Sequence, residues 1–213
     1  MNKQEIIKHI DHTALQPTAT EADIKKLCDE AMHYGCASVC IPSCYVGFAK
    51  RYVGGKMKIC TVVGFPNGYA TTAAKVVETV DAVIQGTDEI DMVINLGWLK
   101  DGKYNLIADE IEQIRNACKK QILKVIIETC FLTEAEKIKM CHIVTETGTD
   151  YIKTSTGFGT AGATLEDVRL FKEHIGKNVK IKAAGGIRDF AAAAEFLAAG
   201  ADRIGASSLL KKL

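Results

Sequence analysis

The sequence has no Cys-x-x-Cys pair, no His-x-x-x-His pair and a single tryptophan, Trp98. Without paired ligand spacings, a zinc ribbon, a zinc finger and a zincin-type helix find no support, and no metal is expected. No run reaches the roughly 18 apolar residues needed to cross a bilayer. The Ala-rich stretch from Ala191 to Ala201 is too short and is broken by Glu195. The start, Met1 to Ile10, carries Lys3 and Lys8 but no apolar h-region, so it does not read as a secretory signal. Neither sign of charge dominates. A net charge of +1 gives no electrostatic case for nucleic acid or an anionic membrane as a partner.

What is present is an ordinary globular composition: 213 residues, 47% hydrophobic and 25% charged. That length suits one domain spanning residues 1–213, with no linker or low-complexity tract. The cysteines are Cys28, Cys36, Cys40, Cys44, Cys60, Cys118, Cys130 and Cys141. Cys36, Cys40 and Cys44 are evenly spaced, but Cys40 lies in an apolar run that reads as a strand, where one face cannot hold all three. They are expected to be reduced and mostly buried, which suits the cytoplasm. His9, His12, His33, His142 and His174 read as solvated or core histidines rather than ligands.

Short apolar runs alternate with segments of helical period. Strands are expected at Ile10 to Ala14, Ala37 to Ile41, Ile59 to Val63, Glu89 to Ile94, Leu123 to Ile127, Asp150 to Lys153, Val179 to Ala183 and Ala201 to Gly205. The clearest helices are Glu21 to His33, Thr71 to Gln85, Tyr104 to Lys119, Thr133 to Thr147, Leu165 to Ile175 and Phe190 to Ala199. Thr20, Thr133 and Thr164 are N-cap candidates, and Gly35, Gly86, Gly148, Gly176 and Gly200 follow helical runs as C′ residues should. Alternation of this kind implies a parallel sheet, and eight strands close a (β/α)8 TIM barrel. An open doubly wound sheet is the alternative.

Parallel barrel strands are buried on both faces and should be apolar throughout. Asp91, Lys153 and Lys182 break that rule in otherwise apolar runs. An unpaired buried charge costs several kcal/mol, so these residues need a reason. One reason is a structural ion pair of Asp91 with one lysine. The other is catalysis, since barrel active sites lie at the C-terminal ends of strands. A second ammonium disfavours protonation of an amine beside it, and a neutral amine is a nucleophile for carbonyl compounds. The chemistry alone does not say which lysine attacks.

A phosphate site is expected in the loops after strands seven and eight. Gly185, Gly186 and Arg188 lie in the first, and Gly205, Ser207 and Ser208 in the second. Glycines let backbone N–H groups approach an anion, and the serines add hydroxyl donors at an expected helix start. Gly157, Gly159 and Gly162 fit Gly-x-Gly-x-x-Gly, but a dinucleotide fold also needs an acid at the end of the next strand. That strand ends Lys182-Ala183-Ala184-Gly185, so nucleotide binding is not expected.

These residues resemble a known family. Tyr151-Ile152-Lys153-Thr154-Ser155-Thr156-Gly157-Phe158 looks like the Schiff-base segment of deoxyribose-phosphate aldolases, and Lys180 to Arg188 looks like their second-lysine segment. Asp88 to Asn95 resembles the segment carrying their acid. Ile10-Asp11-His12-Thr13, Val63 to Pro66 and Arg203 to Ser208 also match. The resemblance implies a lyase that needs no cofactor and cleaves 2-deoxy-D-ribose 5-phosphate to acetaldehyde and D-glyceraldehyde 3-phosphate. It makes Lys153 the imine-forming nucleophile, Lys182 its activating neighbour and Asp91 the proton donor and acceptor, through water. Asp11, Thr13, Thr156 and Gly157 would belong to the surrounding polar network, and Gly185, Gly186, Arg188, Gly205, Ser207 and Ser208 to the phosphate site. A homodimer or homotetramer is compatible with it. Family members commonly end in a tyrosine that assists proton exchange; this sequence stops at Leu213 without one, which implies slower exchange. Another Schiff-base aldolase or a transaldolase, and a phosphosugar-binding protein without turnover, remain alternative readings.

Overall fold

The computed structural model describes residues 1–213 apart from the side chain of Lys212. Eight strands form: β1 Ile10–Thr13, β2 Ser38–Ile41, β3 Ile59–Val63, β4 Glu89–Val93, β5 Ile122–Ile126, β6 Tyr151–Lys153, β7 Lys180–Ala184 and β8 Arg203–Ala206. They pair in chain order, all parallel, and β8 returns to β1 with Ile10 opposite Ile204, closing a barrel. Closure rules out the open doubly wound sheet. The helices are α1 Lys3–Ile7, α2 Glu21–Tyr34, α3 Val46–Val53, α4 Thr72–Gln85, α5 Leu96–Lys100, α6 Tyr104–Ala117, α7 Glu134–Glu146, α8 Leu165–His174 and α9 Phe190–Ala199. The fold is the expected (β/α)8 barrel.

Local chemistry explains most of the boundaries. Thr20, Thr133 and Thr164 each accept the amide of the third helical residue of α2, α7 and α8. Gly35, Gly86 and Gly200 end α2, α4 and α9 in the left-handed conformation. Gly176 does not act this way. Helix α8 stops at His174 with Ile175 extended, and a Cβ at Gly176 would run into Thr145 of α7, so close helix approach is what requires glycine there. Helices α1, α3 and α5 were not expected; at five, eight and five residues they are too short to show a clear period.

Strand side chains alternate between faces. Ile10, Ile90, Met92, Leu123, Val125, Ile152, Ile181, Ala183 and Ile204 join the main apolar core, which lies between the barrel and its helices. The opposite parity holds Asp11, Glu89, Asp91, Lys124, Lys153, Lys182 and Arg203, all buried. The usual barrel interior is layered with branched aliphatics. Here charge takes that place, and only a small apolar group of Cys40, Cys60 and Val62 sits beside it.

Candidate active site

Asp91 lies mid-strand in β4, and the strand register sets it beside Lys124 of β5. The register likewise runs Lys153 beside Lys182, and Lys182 beside Arg203. Both Lys153 and Lys182 donate to Asp91 Oδ2 at 2.7 Å, while Lys124 donates to Oδ1 at 2.8 Å. Lys182 also contacts Asp11 Oδ2 at 2.5 Å, and Arg203 contacts Asp11 Oδ1 at 2.5 Å. Glu89 completes the set, 2.6 Å from Lys124 and 3.1 Å from Arg203. Ser38 donates to Asp11 at 2.7 Å.

The network therefore joins seven charged groups, where the sequence reading drew attention to three and gave Asp11 only a peripheral part. Glu89, Lys124 and Arg203 were missed although each lies in an expected strand. The missed signal was alternation: Glu89-Ile90-Asp91-Met92 and Lys180-Ile181-Lys182-Ala183 repeat with period two, and Lys124 sits between Leu123 and Val125. The Asp91–Lys153 contact is direct.

Two carboxylates of this network, Asp91 and Asp11, are held below their usual range. Burial works to raise Asp91, but the ammonium groups of Lys124, Lys153 and Lys182 outweigh it and keep the carboxyl well below its usual range. Asp11 is lowered in the same way, against burial, by Lys182, Lys124 and Arg203. Burial works to lower Lys182, and Asp11 and Asp91 overcome it and raise the amine. Lys124 is raised against burial chiefly by Asp91.

Above this network opens a cavity of about 650 Å³, on the side where β1, β6, β7 and β8 end. Lys153 is the one member of the network that lines it; Asp91, Lys182 and Asp11 do not. Thr13, Thr156, Gly157, Gly185, Gly186, Arg188, Gly205, Ser207 and Ser208 all line it as well, so the structure brings both expected loops to one wall. Gly185 and Gly186 are consecutive left-handed residues, at φ 86° and 78°. A Cβ at Gly205 would lie 2.9 Å from the Cβ of Ala184, which explains glycine there. The expected helix start at Ser207 and Ser208 is not found; a 3-10 turn, Leu210–Lys212, follows instead. A helix dipole therefore adds nothing to that loop.

Three features have surroundings that residue order did not show. His12 is on the cavity wall, buried, with Nε2 2.8 Å from Glu30 of α2; burial pushes its imidazole down and Glu30 opposes the shift. Nothing in the sequence links residues 12 and 30. Cys40 and Cys60 are reduced and buried as expected, but they abut the network, with Cys60 Sγ 3.2 Å from Asp91. Cys40, Cys60 and Asp91 present ligand atoms within 4.8 Å of one another, a grouping that sequence spacing did not reveal. A cation there would have to displace the three lysines already on Asp91. The Gly-x-Gly-x-x-Gly glycines have packing reasons: Gly157 is left-handed, a Cβ at Gly159 would lie 2.9 Å from Cys130 Sγ, and one at Gly162 would strike the Gly185 backbone. Trp98 packs against the core and does not wall the cavity.

Comparison with known proteins agrees with this geometry. The DeoC/LacD family aldolase profile matches residues 5–213. The deoxyribose-phosphate aldolase of Clostridioides difficile (strain 630) is 58% identical over 208 residues, covering 98% of this chain and 95% of that protein. Among solved structures, QR15, an aldolase, superposes with TM-score 0.94 at 40% identity, over 98% of this chain and 95% of the other. The tetrameric deoxyribose phosphate aldolase of Aeropyrum pernix gives TM-score 0.92 at 30% identity, over 98% and 91%. The chain belongs to the DeoC/LacD family of aldolases.

Proposed function

We propose that the protein reversibly cleaves 2-deoxy-D-ribose 5-phosphate to acetaldehyde and D-glyceraldehyde 3-phosphate through an imine on Lys153. The observation that carries the reading is access: Lys153 alone among the seven charged groups lines the cavity. Charge balance supports it. Three carboxylates, Asp11, Glu89 and Asp91, face four cationic side chains, Lys124, Lys153, Lys182 and Arg203, so the network holds one positive side chain in excess. Burying an uncompensated charge is costly, and Lys153 is the member of the set with a route to the cavity.

The neutral Lys153 amine attacks the C1 aldehyde of the open sugar, and loss of water gives the protonated imine. Removal of the C3 hydroxyl proton breaks the C2–C3 bond, and the bonding pair moves into the imine to form an enamine. D-Glyceraldehyde 3-phosphate leaves. Protonation at C2 and hydrolysis then release acetaldehyde and restore the amine. Asp91 and Lys182, both in contact with each other and one of them with Lys153, carry protons among these steps. Gly185, Gly186, Arg188, Gly205, Ser207 and Ser208 receive the phosphate, while Thr13, Thr156 and Gly157 border the sugar.

Self-association is part of the proposal: a solved relative is tetrameric, and α4 exposes Val77, Val80 and Ile84 along one side. Among the described residues no helix is long and apolar enough to cross a membrane. Eight free thiols favour a reducing, cytoplasmic setting.

Borohydride reduction with acetaldehyde, followed by peptide mass mapping, tests the assignment. A two-carbon adduct on Lys153 is expected. An adduct on Lys182, or none, overturns it.

A further inference from the structure

Glu128 belongs neither to the charge network nor to the cavity wall, yet it is buried. Its backbone lies at φ 52°, ψ 67°, the left-handed region, where no other non-glycine residue is found among the described residues. A side chain makes that conformation costly, and it persists only where the surroundings over-determine it. The Thr156 amide approaches both carboxylate oxygens at 3.2 Å, and the Thr156 hydroxyl donates to Oε2. That hydroxyl in turn accepts the Phe158 amide at 3.0 Å. A carboxylate only accepts, so it suits donors converging in this way. Among the described residues no cation is salt-bridged to Glu128, and burial raises its carboxyl against the opposing Thr156 donors and the Lys153 charge.

The loop so held starts at the reacting lysine. Phe158 lines the cavity and rests edge-on against Phe65, with ring centroids 5.3 Å apart. Phe65 follows β3 and Phe158 follows β6, so the rings meet across the barrel mouth from strands that are not neighbours. A Cβ at Gly159 would come within 3.2 Å of the Glu128 carboxyl, so the seat of Glu128 helps to require glycine there.

We propose that Glu128 is a positioning residue: through Thr156 it sets the course of the loop after Lys153 and seats Phe158 against Phe65 as the apolar wall of the cavity. The inference rests on Lys153 being the imine-forming amine and names what orients the segment beside it.

Cleavage kinetics of Glu128→Gln and Glu128→Gly test it, with thermal unfolding and acetaldehyde–borohydride trapping run in parallel. Glutamine keeps the shape but turns one acceptor into a donor facing the Thr156 donors. Glycine removes the carboxylate and accepts the left-handed backbone. In both variants kcat should fall about 10–100-fold, the scale of a roughly 1 Å misplacement of reacting groups. KM should stay within about threefold because the loops after β7 and β8 are untouched. Trapping should remain on Lys153, and Glu128→Gly should unfold within a few degrees of the parent. A kcat near the parent value in either variant overturns the proposal, as does a loss that merely follows the fraction unfolded. If the parent protein is not trapped on Lys153, the reading beneath it falls, a result visible without any Glu128 variant.

Discussion

Two regions of this protein bury lysine with glutamate or aspartate, and they behave oppositely. Between α4 and α6, Lys75 meets Glu110 at 2.8 Å and donates to the Val93 carbonyl at 2.8 Å. Both side chains of this pair are fully buried and their charges cancel. Burial lowers the Lys75 amine against the pull of Glu110, and burial raises the Glu110 carboxyl against Lys75, so both groups lean toward their neutral forms. In the barrel interior the balance is reversed: Asp91 is held down and Lys182 held up, each against burial. The difference lies in number and access. A single pair gives each ion one opposite charge, whereas Asp91 has three ammonium neighbours. Only the interior network carries an excess positive charge and touches a cavity. Buried charge alone therefore does not distinguish the two regions; imbalance together with access does.

The largest test of that contrast is Lys182→Leu. Without Lys182 three carboxylates face three cationic side chains, so the excess positive charge is gone, and the proton carrier on Asp91 is lost with it. Cleavage at neutral pH should fall by about 10²–10⁴-fold, the span of a lost proton-transfer group. A variant that keeps full neutral activity would show that charge balance does not govern Lys153.

The outer pair should answer in stability rather than in rate. Glu110→Leu strands the Lys75 ammonium and should destabilise the fold by about 3–5 kcal/mol in urea unfolding. Adding Lys75→Met should recover most of that loss, because apolar replacement of a buried pair is often near neutral. Turnover per folded molecule should stay within about threefold throughout. A double variant as unstable as the single would mean that the ammonium bond to the Val93 carbonyl matters more than the pair.

The smallest effect is a slope with pH. Asp91 and Asp11 are depressed in the folded state, so their contribution is present above the ordinary carboxylate value of 3.8 and is lost as pH falls below it. Glu110 is raised above 4.5, so mild acid relieves its burial before the network is affected. Between neutral pH and about 5 the raised Glu110 adds stability while the depressed His12 removes it, and at lower pH stability should decline as the network carboxylates are protonated. In Asp91→Asn the decline should be shallower, measured by urea midpoints across pH. An unchanged slope would place the acid-sensitive groups elsewhere.

Much of this was legible along the chain. Strand and helix periods, threonine caps and glycine stops follow from local geometry, so the barrel and the loops after β7 and β8 could be read from residue order. Lys153, Lys182 and Asp91 stood out because an unpaired charge in an apolar run conflicts with burial whatever the fold. Their convergence on one carboxylate depended on the barrel, which curves β4, β6 and β7 around one interior so that Lys153 and Lys182 both reach Asp91, while the register of neighbouring strands sets Lys124 beside Asp91 and Arg203 beside Lys182. The short helix α3 carried too few turns to show a period. The His12–Glu30 contact and the Phe65–Phe158 pair join segments far apart in sequence, and no local pattern encodes such a meeting. Sequence determined which residues carry charge and which backbone positions need glycine, because those are properties of single residues and their neighbours. Tertiary structure decided which lysine reaches the cavity, since access depends on where every other strand and loop ends.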